Sequence, residues 1–194
     1  MLGKITNYFK GKKKMKALKN SSPEMIYGYI QGGQLLADTR VGSSTSFVGK
    51  ENLKLADNVF IGQYNFIEAS NGITIEEGCQ ITNYISILSH SSHVSIRLYG
   101  DAYRQAKDPI GYVKGEVSIG KYSFIGPHVT IMPGTAIGKG CLVSAYSMLK
   151  GDYPDFSIVA GNPAKVVGDI REGDKKLLEE HPELLKNYDK WANE

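Results

Sequence analysis

From Leu55 onward an aliphatic residue returns at every sixth position, and this interval constrains the fold more than any other feature of the chain. Leu55, Ile61 and Ile67 open the series, and after one eight-residue step it resumes at Ile75, Ile81 and Ile87. A second run keeps the interval at Ile119, Ile125, Ile131, Ile137, Val143 and Leu149. The residue after each is often small or acidic, as at Ala56, Gly62, Glu68, Glu76, Gly120, Gly126 and Gly138. Four places beyond the aliphatic stands a small or medium side chain: Val59, Cys79, Ile85, Ser123, Val129, Thr135, Cys141 and Ser147. Six is a multiple of the strand period of two and does not fit 3.6, which excludes helices here. Short strands joined by tight turns at a fixed interval describe a parallel β-helix, each coil stacked on the last. Three six-residue faces give roughly 18 residues per coil, rising by about 4.8 Å, the spacing of neighbouring strands. The two runs then supply about four to five coils, and residues 41–53 add a worn first one.

Composition agrees with this. The chain holds 22 Gly in 194 residues, above the usual ~7%. With no Gly-X-Y period, that surplus means tight turns and not collagen. Hydrophobic residues at 41% and charged residues at 22% are those of a globular chain. Two cysteines, Cys79 and Cys141, are too few for a disulfide framework or a Cys-rich zinc module, and their small-residue repeat positions make them packing thiols. No stretch approaches the ~18 apolar residues of a membrane span, and no apolar run follows Met1 as a signal peptide requires. The expected location is cytoplasmic.

The net charge of +3 is unevenly placed. Residues 1–19 hold Lys4, Lys10, Lys12, Lys13, Lys14, Lys16 and Lys19 and no acid; without these seven, 16 basic residues face 20 acidic ones, a net of −4. Nucleic-acid binders typically carry a basic face interleaved with aromatics on the folded domain, whereas here the basic character belongs to the tail, so no nucleic-acid partner is expected. Two readings of the start stay open. One is a solvated arm; the other is peripheral attachment to an anionic membrane, at about 1 kcal/mol per lysine near the surface.

The second run closes on Asp152-Tyr153-Pro154-Asp155-Phe156-Ser157-Ile158-Val159-Ala160-Gly161-Asn162-Pro163-Ala164-Lys165. The six-residue pattern resembles that of the hexapeptide-repeat acyltransferases. This ending is similar to the close of their sugar O-acetyltransferases of the maltose and galactoside type and of polysaccharide-cluster acetyltransferases. The resemblance covers about residues 41–168. It implies an all-β fold, a left-handed parallel β-helix, against the general right-handed rule for parallel crossovers. It also implies acetyl-CoA as acetyl donor and a homotrimer with sites shared between subunits. The organisation expected is a basic N-terminal segment (1–40), the β-helix acetyltransferase domain (41–168, with a loop at 89–116) and a C-terminal helical tail (169–194). The tail's apolar stripe of Leu177, Leu178, Leu184, Leu185, Tyr188 and Trp191 is split by Pro182.

The interval stops after Ile87 and restarts at Ile119. A loop of that length inside a repeat array is usually functional. It contains His90 and His93 with Arg97, Tyr99, Asp101, Tyr103, Arg104, Asp108 and Tyr112. Tyrosines and guanidinium forks suit a sugar or phosphosugar acceptor, with Arg97, Tyr99 and Tyr103 as the candidate contacts; covering an exposed edge of the β-helix is the other reading. Acetyl transfer from a thioester to a hydroxyl needs a base for the hydroxyl proton and donors for the developing oxyanion. Histidine, with an ordinary pKa of ~6.5, suits neutral operation. In the resembled family the base is a histidine just after the last coil before the excursion. Ile87-Leu88-Ser89-His90 matches that position, so the resemblance assigns the base to His90, with His93 in reserve. His128 would point outward from a coil as a structural residue or a wall of the donor groove, and His181 is expected in solvent. The β-helix carbonic anhydrases, which hold metal with three histidines, are also similar in fold. Only His128 lies on the later coils, so no metal is expected.

The resemblance further implies that Ser144-Ala145-Tyr146-Ser147 offers a backbone contact to acetyl-CoA at Ala145. It makes Lys165, after the Asn-Pro-Ala turn, a phosphate contact, and Lys150 a second one displaced by a residue from its usual place. Pro127 has no N–H to give. The function implied is acetyl-CoA-dependent O-acetylation of a sugar or polysaccharide acceptor, and the lysine-rich start and long loop resemble enzymes of capsule or O-antigen assembly. An N-acetyltransferase of an amino sugar or a xenobiotic, and a catalytically inert β-helix binding module, remain as alternatives.

Overall fold

The computed structural model describes Lys10 and residues 22–193. The remaining lysines of the basic start, and with them the membrane reading, lie outside the described residues. The six-residue interval becomes three sheets wound as a parallel β-helix. The first contains Gln34–Gly42, Phe60–Ile61, Gln80–Ile81, Phe124–Ile125, Leu142–Val143 and Ser157–Gly161. The second contains Ser46–Val48, Phe66–Glu68, Ser86–Leu88, Thr130–Ile131 and Met148–Leu149, and the third Leu53–Leu55, Ile73–Ile75, Val117–Ile119, Ala136–Ile137 and Asp152–Tyr153. Antiparallel hairpins close both ends of the first sheet: Met25–Gln31 folds back on Gln34–Gly42, and Ala164–Asp169 on Ser157–Gly161. The first hairpin lies largely within the stretch read as a basic N-terminal segment, so ordered sheet begins at Met25, well before residue 41.

Register explains the core. Ile61 stands over Ile81, Ile81 over Ile125, and Ile125 over Val143, and all four are fully buried. The same holds for Ile67, Ile87, Ile131 and Leu149 in the second sheet. A one-residue slip would turn a whole column to solvent, so the buried aliphatics fix the register. The glycine that follows an aliphatic lets the coils approach: a Cβ on Gly120 would lie 2.6 Å from the backbone of Gly138 in the next coil.

The corners hold a feature that composition did not locate. Tyr64, Tyr84, His128 and Tyr146 occupy equivalent corner positions with φ between 60° and 62°. Their rings stack in series at 5.1, 4.9 and 4.8 Å. The left-handed conformation costs about 1–2 kcal/mol in an L-residue, and each stacked contact returns about 0.5–1.5. Tyrosine can therefore stand where glycine is the default, and His128 is a rung of this ladder.

The tail forms Arg171–Glu180, a 3-10 turn at Pro182–Leu184 and Leu185–Ala192. It packs on its own coils: the Trp191 ring lies 4.8 Å from Tyr122 and 5.8 Å from Phe156, and Lys139 Nζ donates to the Ala192 carbonyl at 2.9 Å. No helix among the described residues is long and apolar enough to cross a membrane.

Candidate active site

The excursion leaves the second sheet after Ser86–Leu88. Its neck is an antiparallel pair, His90–Ser91 with Val113–Lys114, and its body is helical at Ser95–Tyr99 and Gly100–Gln105. Local short-range structure thus replaces what reads in sequence as a plain loop.

His90 emerges at this neck directly above a buried acid. Its Nδ1 lies 2.6 Å from Oε2 of Glu68, with the two side chains 32% and 5% exposed. Nδ1 is itself buried and makes no straight hydrogen bond, so its close contact with the carboxylate is electrostatic. Glu68 belongs to Phe66–Glu68, one coil below, in register with Leu88. Its Oε1 accepts the Ser70 N–H at 3.0 Å; its Oε2 accepts the Ser89 N–H at 3.2 Å and the Ser89 hydroxyl at 2.9 Å. Burial pushes the carboxyl pKa up, but the donors Ser70 and Ser89 and the adjoining His90 outweigh it, holding Glu68 below the ordinary range. A carboxylate at Nδ1 favours the tautomer that keeps its proton there and leaves the lone pair on Nε2. The Tyr112 ring covers the imidazole at 5.2 Å, nearly parallel at 14°. Burial, then Tyr103 and Glu68, push the Tyr112 phenol up, so it stays a donor.

The other expected residues divide. His93 Nδ1 meets the Ser91 hydroxyl at 2.9 Å and, among the described residues, pairs with no carboxylate. Arg97 donates to the His93 carbonyl, and the Tyr99 hydroxyl accepts the Ile110 N–H at 3.0 Å; both hold the excursion to itself. Tyr103 lines a pocket of about 430 Å³ with Arg104, Ala106, Lys107, Asp108, Pro109, Tyr112 and Lys114. A larger cavity of about 580 Å³ lies between the tail helices and Tyr122, without any residue of the excursion. Ala145 is exposed at the corner between the first and second sheets, and its amide has no partner among the described residues. The equivalent Gln63 amide is satisfied by Asn83 Oδ1 at 2.7 Å. Lys150 is exposed at the far edge of the second sheet, and Lys165 on the closing strand of the first. In one chain, then, Ala145 and His90 are not brought together: they lie on opposite edges of the second sheet, two coils apart.

Among the described residues no group of three or more His, Cys, Asp or Glu is arranged to hold a metal. Burial raises the Cys79 thiol to about 12, and its Sγ lies 3.1 Å from the Gly120 carbonyl, which leaves no thiolate to act as a nucleophile. Glu68 is the site residue that sequence reasoning missed, while Tyr112 is expected in the excursion but not against His90. Glu68 stands in the slot after the aliphatic that tolerates small or acidic residues, so the repeat absorbed it. The usable signal was its place one coil beneath the break.

Residues 116–151 match the family described as bacterial transferase hexapeptide (six repeats). Over that stretch the chain is similar to the hexapeptide-repeat transferases. A Mycobacterium tuberculosis protein named as an acetyltransferase is 32% identical over 116 residues, covering 60% of this chain and 37% of that protein. An Escherichia coli K12 protein named as a lipopolysaccharide biosynthesis O-acetyl transferase is 31% identical over 130 residues, covering 66% of this chain and 65% of its own length. The chain thus matches less than two thirds of either relative. Among solved structures, a hexapeptide-repeat acetyltransferase from Vibrio cholerae O1, complexed with acetyl coenzyme A, superposes with a TM-score of 0.54 at 20% identity, over 65% of this chain and 64% of that one. That likeness extends to the fold, and with the family match it implies the left hand for the β-helix.

Proposed function

We propose that the chain is an acetyl-CoA-dependent O-acetyltransferase that acetylates a sugar hydroxyl in cell-surface polysaccharide biosynthesis. The observation that carries this reading is the pairing of His90 with the buried Glu68 carboxylate, beneath a Tyr112 ring that also lines a pocket with Tyr103 and Arg104. His90 Nε2 takes the acceptor hydroxyl proton as that oxygen bonds to the thioester carbonyl carbon. Glu68 stabilises the imidazolium so formed. As the carbon–sulfur bond breaks, the imidazolium returns the proton to the departing thiolate. Ala145 supplies an unused N–H to the donor's arm, and Lys150 and Lys165 supply charge to its phosphates. The relative named for lipopolysaccharide O-acetyl transfer favours a polysaccharide or its precursor as acceptor.

A six-residue face of extended chain separates the edge that holds Ala145 from the edge that holds His90, roughly 20 Å. One chain cannot close that gap. We therefore assign the donor to the groove between neighbouring subunits of a homotrimer, with Ala145 of one facing His90 of the next. The lysine-rich start would bring the trimer to the cytoplasmic face of an anionic membrane, and sedimentation with anionic vesicles tests that part.

The assay follows CoA release with a thiol reagent across free, nucleotide-linked and polymeric sugars, with mass spectrometry for the added acetyl group. His90→Ala is expected to lower turnover by about 10²–10⁴-fold. Full activity in that variant would remove His90 as base, and failure to bind acetyl-CoA would favour an inert binding module.

A further inference from the structure

The pocket beside His90 carries charge that acetyl transfer to a neutral sugar does not use. Tyr112 joins the two, with one ring contact to the His90 imidazole and with Lys114 Nζ 5.6 Å from its centre. Lys114 also stands opposite His90 in the antiparallel neck, so the pocket and the base are held together by backbone pairing. Of the three cations in the lining, Lys114 is matched: its Nζ lies 3.3 Å from Asp108 Oδ1. Arg104 and Lys107 are exposed and have no carboxylate partner among the described residues. No fold contact accounts for them.

Two unmatched cations in one small concavity repel each other and raise the local concentration of anions. A single carboxylate would balance one of them. A phosphate carries nearly two negative charges and three acceptor oxygens, suiting a guanidinium fork beside a point-charge ammonium. Tyr103 and Tyr112 add phenol donors and ring faces suited to a sugar next to that phosphate. We propose that Arg104 and Lys107 bind a phosphate of the acceptor, so that the sugar acetylated at His90 carries a phosphate ester or a diphosphate linkage. This rests on the reading of His90 as the acetyl-transfer base.

The test is calorimetric titration of the full chain with glucose, glucose 1-phosphate and UDP-glucose, alongside the acetyl-transfer assay. Both phosphate compounds are expected to bind at least tenfold more tightly than glucose, and the tighter of the two identifies monoester or diphosphate as the source. Arg104→Gln with Lys107→Gln should weaken phosphate binding about 10–100-fold, from roughly tenfold per lost charged contact, while leaving glucose unchanged. Arg104→Lys should retain part of the affinity, and Lys175→Gln with Lys176→Gln, on the tail, should retain all of it. Equal binding of glucose and glucose 1-phosphate, an unaffected double variant, or the same loss in the tail variant would overturn the site. Faster turnover of neutral sugars than of their phosphates by the parent enzyme would also overturn it, while sparing His90 as base. Phosphate binding that the double variant abolishes, without acetyl transfer to any acceptor, would uphold the site and overturn the base.

Discussion

Replacing Glu68 by Gln keeps the side chain's shape and removes its charge, which isolates what the carboxylate does for His90. During transfer the imidazole becomes an imidazolium 2.6 Å from Glu68 Oε2. Between charge centres about 4 Å apart, an effective dielectric near 20 gives about 4 kcal/mol. His90 is a third exposed, so solvent reduces this to about 2–3 kcal/mol, or about 30–150-fold in kcat at 1.36 kcal/mol per decade. The amide also turns an N–H₂ toward either the Ser70 N–H or the Ser89 hydroxyl, which then loses its carboxylate acceptor. That costs about 1–3 kcal/mol of stability. The expected result is a kcat lowered about a hundredfold, KM for the acceptor little changed, and a lower melting temperature in the same protein. Steady-state CoA release with the best acceptor of the sugar screen, together with a thermal melt, separates the two effects. A Glu68→Gln enzyme that melts lower but keeps wild-type kcat would refute the reasoning, because the acid would then be a packing residue alone.

Three further outcomes follow from the same structure. Because Glu68 is held below its ordinary carboxyl range, its stabilising contribution is complete above about pH 4.3; it is lost as the pH falls through the lower folded value, so acid melts of Glu68→Gln should slope less in that window than those of the parent. The Cys79 thiol, raised to about 12 and buried, should stay unlabelled by iodoacetamide at pH 8 in the native protein and react at once in denaturant. At the corner ladder, Tyr84→Ala loses one ring with its two stacking contacts and keeps a φ of 60°, whereas Tyr84→Gly loses the same contacts and relieves the backbone. Glycine should therefore be the more stable of the two by about 1 kcal/mol in urea melts, the reverse of the usual order.

What could be read from the sequence follows the range of each interaction. The column from Ile61 to Val143 is set by a local alternation that every coil repeats, so register and core are visible in one dimension. The excursion shows as an interruption of that rule, which points to His90. Glu68 is different. Its role arises because register places it below His90, and a residue of the same type in the same slot, Glu76, is exposed and accepts the Lys121 N–H. The slot therefore carries no functional signal; only the neighbour in the next coil does. The corner ladder is opaque in sequence for a related reason. Tyr64, Tyr84 and Tyr146 are separated unevenly in sequence because the excursion intervenes, and only stacking of the coils makes them one ladder.

The position of the break also divides the work of the site. Ile75, Ile81 and Ile87 stack directly on Ile119, Ile125 and Ile131, so the coils on either side of the excursion pack as though it were absent. His90 is consequently anchored twice by the rigid scaffold, through the strand that precedes it and through Glu68 in the coil below. Arg104 and Lys107, by contrast, stand on a segment that contributes nothing to the aliphatic column. A change there alters what the pocket attracts without disturbing the tautomer or orientation of the imidazole. Such an arrangement, with a base fixed by the repeat and a binding surface built outside it, lets one β-helix serve different acceptors through substitutions in the excursion alone.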